Sequence, residues 1–96
     1  MTAMTEPLRV HATGLFRRDL KRLSKRGLDV GRVQGVLRVL AAREELPTAL
    51  RDHPLTGNFR DYRECHVAPD WLLIYRVVET DLVLVAFRTG THADRF

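Results

Sequence analysis

The second half of the chain holds His53, His66, Asp70, Arg88 and His92, and Phe96 follows them. They lie in three short runs: Asp-His-Pro-Leu-Thr-Gly, Glu-Cys-His-Val-Ala-Pro-Asp-Trp and Arg-Thr-Gly-Thr-His-Ala-Asp-Arg-Phe. An imidazole gains or loses its proton near neutral pH, so one histidine can take a proton while another gives one. A phosphodiester of RNA suits such a set. Its own 2′-hydroxyl is the nucleophile. Cleavage needs that proton removed, a proton delivered to the departing 5′ oxygen, and charge on the phosphate balanced. The products are a 2′,3′-cyclic phosphate and a 5′-hydroxyl. His53, His66, Asp70 and His92 are candidates for proton transfer as a group. Arg88 is a candidate for a bidentate phosphate contact, and Phe96 for stacking on a base.

Each residue has a plainer use. His53 precedes Pro54 and could fix a turn, and Asp70 after Pro69 is a natural turn residue. Arg88 could pair with Asp81 or Glu79 across a hairpin, a contact worth about 1 kcal/mol or less if exposed. His92 and Phe96 sit in a tail that must fold back to bring His92 beside His66. The histidines could instead bind zinc, but no pair lies at the i, i+4 spacing of a helical zinc motif, so no metal and no cofactor is expected. Cys65 and His66 are neighbours on an expected strand and point to opposite faces, which excludes a Cys–His nucleophilic pair.

The elements that position these groups can be read from periodicity. Leu8–His11 alternates and reads as a first strand. Thr13 is an N-cap candidate. After it Phe16, Leu20 and Leu23 form one apolar stripe, while Arg17, Lys21 and Lys25 recur on another face beside Arg18, Arg22 and Arg26. Gly27 ends that helix and Asp29 caps a second, whose stripe is Val30, Val33, Val36, Leu37 and Leu40. Pro47 closes helical territory. Tyr62–Val67 then alternates, with Arg63, Cys65 and Val67 on one side and Tyr62, Glu64 and His66 on the other. Trp71–Val78 is nearly continuous in apolar character and reads as a central strand, with Trp71 and Tyr75 in the core. Leu82–Arg88 returns, with Val83, Val85 and Phe87 on one face and Arg88 on the other. The expected fold is α+β: an N-terminal strand and a two-helix hairpin on one face of a small twisted antiparallel sheet, whose other face is left for substrate. A chain of 96 residues makes one domain, 1–96, with about the first seven residues expected to be disordered.

Charge is divided along the chain. Residues 1–43 hold ten Lys/Arg and three acids, a net +7, whereas residues 44–96 hold six basic and nine acidic residues, a net −3. Such a basic first half attracts a polyanion, most often nucleic acid. Arg17, Lys21, Arg22 and Lys25 on the first helix, with Arg63, are the candidate RNA contacts. The single Cys65 makes no internal disulfide, which suits a reducing cytoplasm, and no stretch is long and apolar enough to span a membrane.

Taken in order and with these gaps, the residues of 52–96 resemble the YafQ branch of the RelE-type bacterial toxins. The similarity is carried by Asp52-His53-Pro54-Leu55-Thr56-Gly57, Tyr62 to Val67, Pro69 to Tyr75, and Arg88-Thr89-Gly90-Thr91-His92 with Phe96. Leu46-Pro47 and the basic helices before them extend it over almost the whole chain. The resemblance implies a RelE-like microbial RNase fold and a ribosome-dependent endonuclease that cuts mRNA in the A site. It places the family's functional positions on His53, His66, Asp70, Arg88, His92 and Phe96. It also implies a cognate antitoxin of ribbon-helix-helix or similar DNA-binding type, a heterotetramer with it, and contact with operator DNA only through that antitoxin. The ribosome's rRNA and the mRNA are then the RNA partners of a bacterial cytoplasmic protein. The alternative is a module with the same fold that binds nucleic acid or antitoxin without catalysis and acts in transcriptional co-regulation.

Overall fold

The computed structural model describes residues 6–94. Of the first seven residues, expected to be disordered, 1–5 lie outside the described residues, while the Glu6 carbonyl accepts from Arg43 Nε at 2.6 Å. The elements run β1 (Arg9–Ala12), α1 (Gly14–Lys25), α2 (Gly31–Ala41), β2 (His53–Pro54), β3 (Arg63–Ala68), β4 (Trp71–Val78) and β5 (Val83–Thr91). Two helices pack on a five-stranded sheet of order β1-β5-β4-β3-β2.

The sheet is mixed, not antiparallel throughout. β1 joins its edge parallel to β5, with Arg9 opposite Val83 and Ala12 opposite Ala86. Alternation within Leu8–His11 marks a strand but carries no information on its neighbour, which here lies more than seventy residues away. The parallel pairing is possible because both helices lie in the connection between β1 and the meander. β2, a two-residue strand that the periodicity did not mark, pairs antiparallel with β3.

The helix signals are used as their chemistry suggests. The Thr13 hydroxyl accepts from the Phe16 amide at 3.0 Å and donates to the Phe87 carbonyl at 2.7 Å, so one side chain caps α1 and pins its start to β5. Gly27, at φ 88°, ends α1: its amide bonds the Ser24 carbonyl and the Leu28 amide bonds that of Leu23, a Schellman pair of bonds. Asp29 Oδ1 accepts from the Gly31 amide at 3.0 Å and starts α2. Phe16 and Leu23 of α1 and Val33 and Leu37 of α2 are buried against Cys65, Val67, Leu73, Tyr75, Leu84 and Ala86 of the sheet. Truncating Leu73, which is fully buried, to alanine would cost about 2–5 kcal/mol. Trp71 and Tyr75 are core residues, as their strand implies; the Trp71 indole N–H donates to Thr89 Oγ1 at 2.8 Å. The helices cover one sheet face and leave the other open.

Candidate active site

Strand register lays out the open face. His53 lies opposite Glu64, Glu64 opposite Ile74, and Ile74 opposite Arg88, one row across four strands. The next row is His66, Leu72 and Gly90. Rows two residues apart are separated by ~7 Å, and neighbouring strands by ~4.8 Å. Cys65 and Val67 are buried on the helix side, so His66 faces outward, as alternation requires.

Asp70 occupies the turn between β3 and β4, and His92 opens a single 3-10 turn, His92–Asp94, that follows β5. The two meet: Asp70 Oδ1 contacts His92 Nδ1 at 2.5 Å and accepts from its backbone amide at 3.3 Å. The His66 and His92 rings lie 6.4 Å apart between centroids. The His92 side-chain bond, then its backbone amide, holds the Asp70 carboxyl below the usual carboxylate range. Asp70 therefore meets the imidazole as an anion and turns Nδ1 toward itself, which leaves Nε2 as the nitrogen that can face a substrate.

The tail folds back because Asp94 ties it to α1. Its carboxylate accepts from the Thr91 amide at 2.6 Å, from Thr91 Oγ1 at 3.1 Å and from Arg26 at 2.9 Å, with Arg22 Nε at 3.4 Å. Arg26 also donates to Thr91 Oγ1 at 3.2 Å. Burial alone would push the Asp94 carboxyl up, but these donors outweigh it and hold it low.

Arg88 departs from the sequence expectation in two ways. A β-bulge shifts the β4–β5 register, so Ile74 faces Arg88 while Tyr75 faces Ala86. The extra residue brings Arg88 to the open face on which Val83, Val85 and Phe87 lie, where strict alternation would have put it opposite them. Its partner is neither Asp81 nor Glu79 but Asp19 of α1. Nε donates to Oδ2 at 2.9 Å and Nη2 to Oδ1 at 3.1 Å, a fork-to-fork pair. Asp19, 1% exposed, also accepts from the Thr89 amide and from Arg22, each at 3.1 Å. Burial would raise its carboxyl, but the bonds from Arg88, Thr89 and Arg22 outweigh it and hold the group below its ordinary range. Asp19 is the site residue that the motifs missed. Its signal was faint: it is an acid three residues after Phe16 and four before Leu23, on the apolar stripe of an otherwise basic helix.

The other candidates are spread over the surface. His53 sits on the open face at the sheet edge, with Nε2 3.3 Å from Glu64 Oε1, in the row of Arg88 but about three strand spacings, ~14 Å, from it. Arg17, Lys21 and Lys25 are exposed on α1, whereas Arg22 is partly spent on Asp19 and Asp94. Arg63, the remaining candidate RNA contact, has a partly exposed side chain on β3. It pairs with Tyr75 on the helix side, and its Nε donates to Asp52 Oδ1 at 3.2 Å, beside the Tyr75 hydroxyl at 2.6 Å from the same oxygen. Phe96 lies outside the described residues. Among the described residues no three His, Cys, Asp or Glu side chains converge as a metal site, and no helix is long and apolar enough to cross a membrane.

The arrangement is therefore a carboxylate-held imidazole, a second imidazole beside it, and a guanidinium fixed by a buried acid. Residues 8–96 match the family described as the bacterial toxin of the type II toxin–antitoxin system, YafQ. The chain is 39% identical over 88 residues to the mRNA interferase toxin YafQ of Escherichia coli strain K12, covering 91% of this chain and 94% of that protein. Its fold matches a metal-bound toxin from Helicobacter pylori with a TM-score of 0.86 at 37% identity, covering 93% of this chain and 99% of that one. It matches the toxin of the E. coli DinJ-YafQ toxin–antitoxin complex with a TM-score of 0.82 at 36% identity, covering 94% of this chain and 98% of that one.

Proposed function

This chain belongs to the YafQ family of toxins from bacterial type II toxin–antitoxin systems, and from that membership and the site geometry we propose that it is an mRNA endonuclease that acts on the ribosome and is neutralised by a cognate antitoxin. The observation that carries the reading is the Asp70–His92 pair, with the His66 ring 6.4 Å from that of His92. The two rings are close enough to serve the oxygens of a single phosphate. One imidazole enters neutral and takes the 2′-hydroxyl proton; the other enters protonated and gives its proton to the 5′ oxygen. The 2′ oxygen bonds phosphorus as the bond to the 5′ oxygen breaks. Arg88 sets a fixed positive charge against the phosphate, and needs no reorganisation to do so because Asp19 already orients it. His53 and Phe96 complete the substrate contacts, and Arg17, Lys21 and Lys25 meet rRNA phosphates, which position without reading sequence.

Side chains take and give both protons in this reaction, so it needs no metal and its rate should be unchanged by a chelator. The metal-bound relative makes that arm of the test necessary. An antitoxin partner has support from the DinJ–YafQ complex of the E. coli relative, and the setting is the bacterial cytoplasm, where translated mRNA is found. The decisive experiment maps cleavage ends on a translated mRNA. Cuts within ribosome-bound codons, leaving 2′,3′-cyclic phosphate ends and absent from His92→Ala, are expected. Wild-type protein that leaves such mRNA intact would overturn the reading in favour of a non-catalytic co-regulator.

A further inference from the structure

The open face holds a second feature beside the imidazoles. After β2 the chain folds back over the sheet: the Leu55 amide donates to the Tyr62 carbonyl at 2.9 Å, and Gly57–Phe59 makes a single 3-10 turn between them. This segment and the sheet enclose a hollow of about 280 Å³, lined by Leu55, Phe59, Glu64, Ile74, Phe87 and Arg88. Tyr62 braces its aromatic walls, with ring centroids 6.0 Å from Phe59 and 4.9 Å from Phe87, and the Arg76 guanidinium lies 5.7 Å from the Tyr62 ring centre. Phe59 is nonetheless 51% exposed. An aromatic ring held in place yet left open to water is an unfinished stack.

We propose that this hollow is a nucleobase subsite, which takes the base of a nucleotide next to the scissile phosphate against Phe59 and, through Glu64, selects bases with an amino group rather than a carbonyl oxygen at purine C6 or pyrimidine C4. As part of the same endonuclease, it has this role only if the chain cuts RNA. The charge arrangement fits a nucleotide. The hollow is apolar where a base has its flat faces, and it carries Arg88 on the side of the phosphate and Glu64 on the side of a base edge. Stacking on an aromatic ring accepts any base, since each has a π-face. Glu64 supplies the discrimination. An ionised carboxylate only accepts hydrogen bonds, and the amino groups of adenine and cytosine donate. The O6 of guanine or O4 of uracil would set lone pairs against lone pairs. His53 Nε2, 3.3 Å from Glu64 Oε1, holds the carboxylate in place. The position is also continuous with the site. Arg88 lines the hollow, and Glu64 is two residues from His66 on the same face of β3, ~7 Å along the strand and within one nucleotide of the imidazoles.

The test uses the full chain and a translated reporter mRNA on ribosomes, with cleavage rates recorded site by site for wild type, Phe59→Ala, Phe59→Tyr and Glu64→Gln. Thermal unfolding shows whether each variant is folded. Phe59→Ala should cut more slowly by roughly 5- to 150-fold, the worth of one stacked base. Phe59→Tyr should keep most of the rate. Glu64→Gln, whose amide both donates and accepts, should spread cutting to sites with guanine or uracil at the read position. Wild-type cleavage with Phe59→Ala equally fast, or with a Glu64→Gln site pattern identical to wild type, would overturn the subsite. So would a Phe59→Ala effect confined to antitoxin neutralisation, which would make the hollow a protein contact. A wild type that cuts nothing would instead remove the endonuclease on which the subsite depends.

Discussion

Replacing Asp19 by asparagine keeps the shape of the side chain and removes its charge. The carboxylate accepts four hydrogen bonds, from Arg88 Nε and Nη2, the Thr89 amide and Arg22 Nη1, two on each oxygen. Asparagine retains one oxygen. Whichever way its amide sits, two of the four donors then face an N–H group. A buried donor left without a partner costs about 1–3 kcal/mol, and removing one member of a buried ion pair costs ~3–5 kcal/mol. The Arg88 and Arg22 side chains are 26% and 41% exposed, so water recovers part of the loss. The worked value is about 2–4 kcal/mol. In a domain of this size that lowers Tm by roughly 10–25 °C. Circular dichroism melts of both proteins measure it. The pH dependence fixes the cause. A carboxyl whose folded pKa is depressed stabilises fully above its unfolded value near 3.9, and that stability is lost as pH falls through the folded pKa. The wild-type advantage should therefore be constant from about pH 6 to 8 and shrink as pH falls below about 4, where Asp19 of the unfolded chain takes up a proton while the folded carboxylate is still ionised. Under conditions where both proteins are folded, the variant should also cut RNA more slowly, because Arg88 loses its orientation. A Tm within about 2 °C of wild type, or an advantage that grows in acid, would refute the reasoning.

Asp70→Asn should lower cleavage by about ten- to a hundredfold with little change in Tm, because it disturbs the orientation of a proton-transfer group but touches only exposed partners. Since His92 holds the Asp70 carboxyl low, the wild-type pair persists well into acid. The rate–pH profile should therefore show no loss that follows this carboxylate above about pH 4, and an inflection tracking Asp70 higher than that would contradict the pairing. Ribosome binding should weaken steeply with salt, and Lys21→Ala with Lys25→Ala should lower the log–log slope by about 1–2, as read by co-sedimentation at several salt concentrations. Burial pushes the Cys65 thiol up to about 12. Folded protein at about pH 8 should resist alkylation at Cys65 and react once unfolded, which mass spectrometry follows; rapid labelling of the native state would contradict the burial.

What the sequence revealed depended on the range of each interaction. His66 was legible because two neighbours, Cys65 and Val67, needed the core, and strand geometry then leaves His66 one direction. Thr13 and Gly27 were legible because their bonds close within five residues. Long-range partners were not. The β1–β5 pairing, the Thr13 bond to Phe87 and the Asp19 bonds to Arg88 and Thr89 join groups about seventy residues apart, and no local pattern encodes them. The face of Arg88 was misread for a specific reason: one inserted residue in β5 inverts the alternation beyond it. Alternation grouped Arg63 with Cys65 and Val67, and the structure places it opposite Tyr75 on that side. The motif resemblance supplied His53, Arg88 and His92 together, which periodicity alone could not.

The same helix serves both the surface charge and the site, and the division follows from its pitch. Arg17, Lys21 and Lys25 recur every fourth residue and face outward. Asp19, Arg22 and Arg26, spaced by three and four residues, form a neighbouring stripe that turns toward β5 and the tail. That stripe gathers three guanidinium groups, Arg22, Arg26 and Arg88, around two carboxylates, Asp19 and Asp94. One positive charge remains in excess in this cluster. The acids are therefore not a cost to anion binding. Without them three like charges would repel and splay, and neither Arg88 nor the turn that carries His92 would be held. Asp19 fixes the arginine, Asp94 fixes the tail, and both are anchored to a helix whose other side is free for an anionic partner.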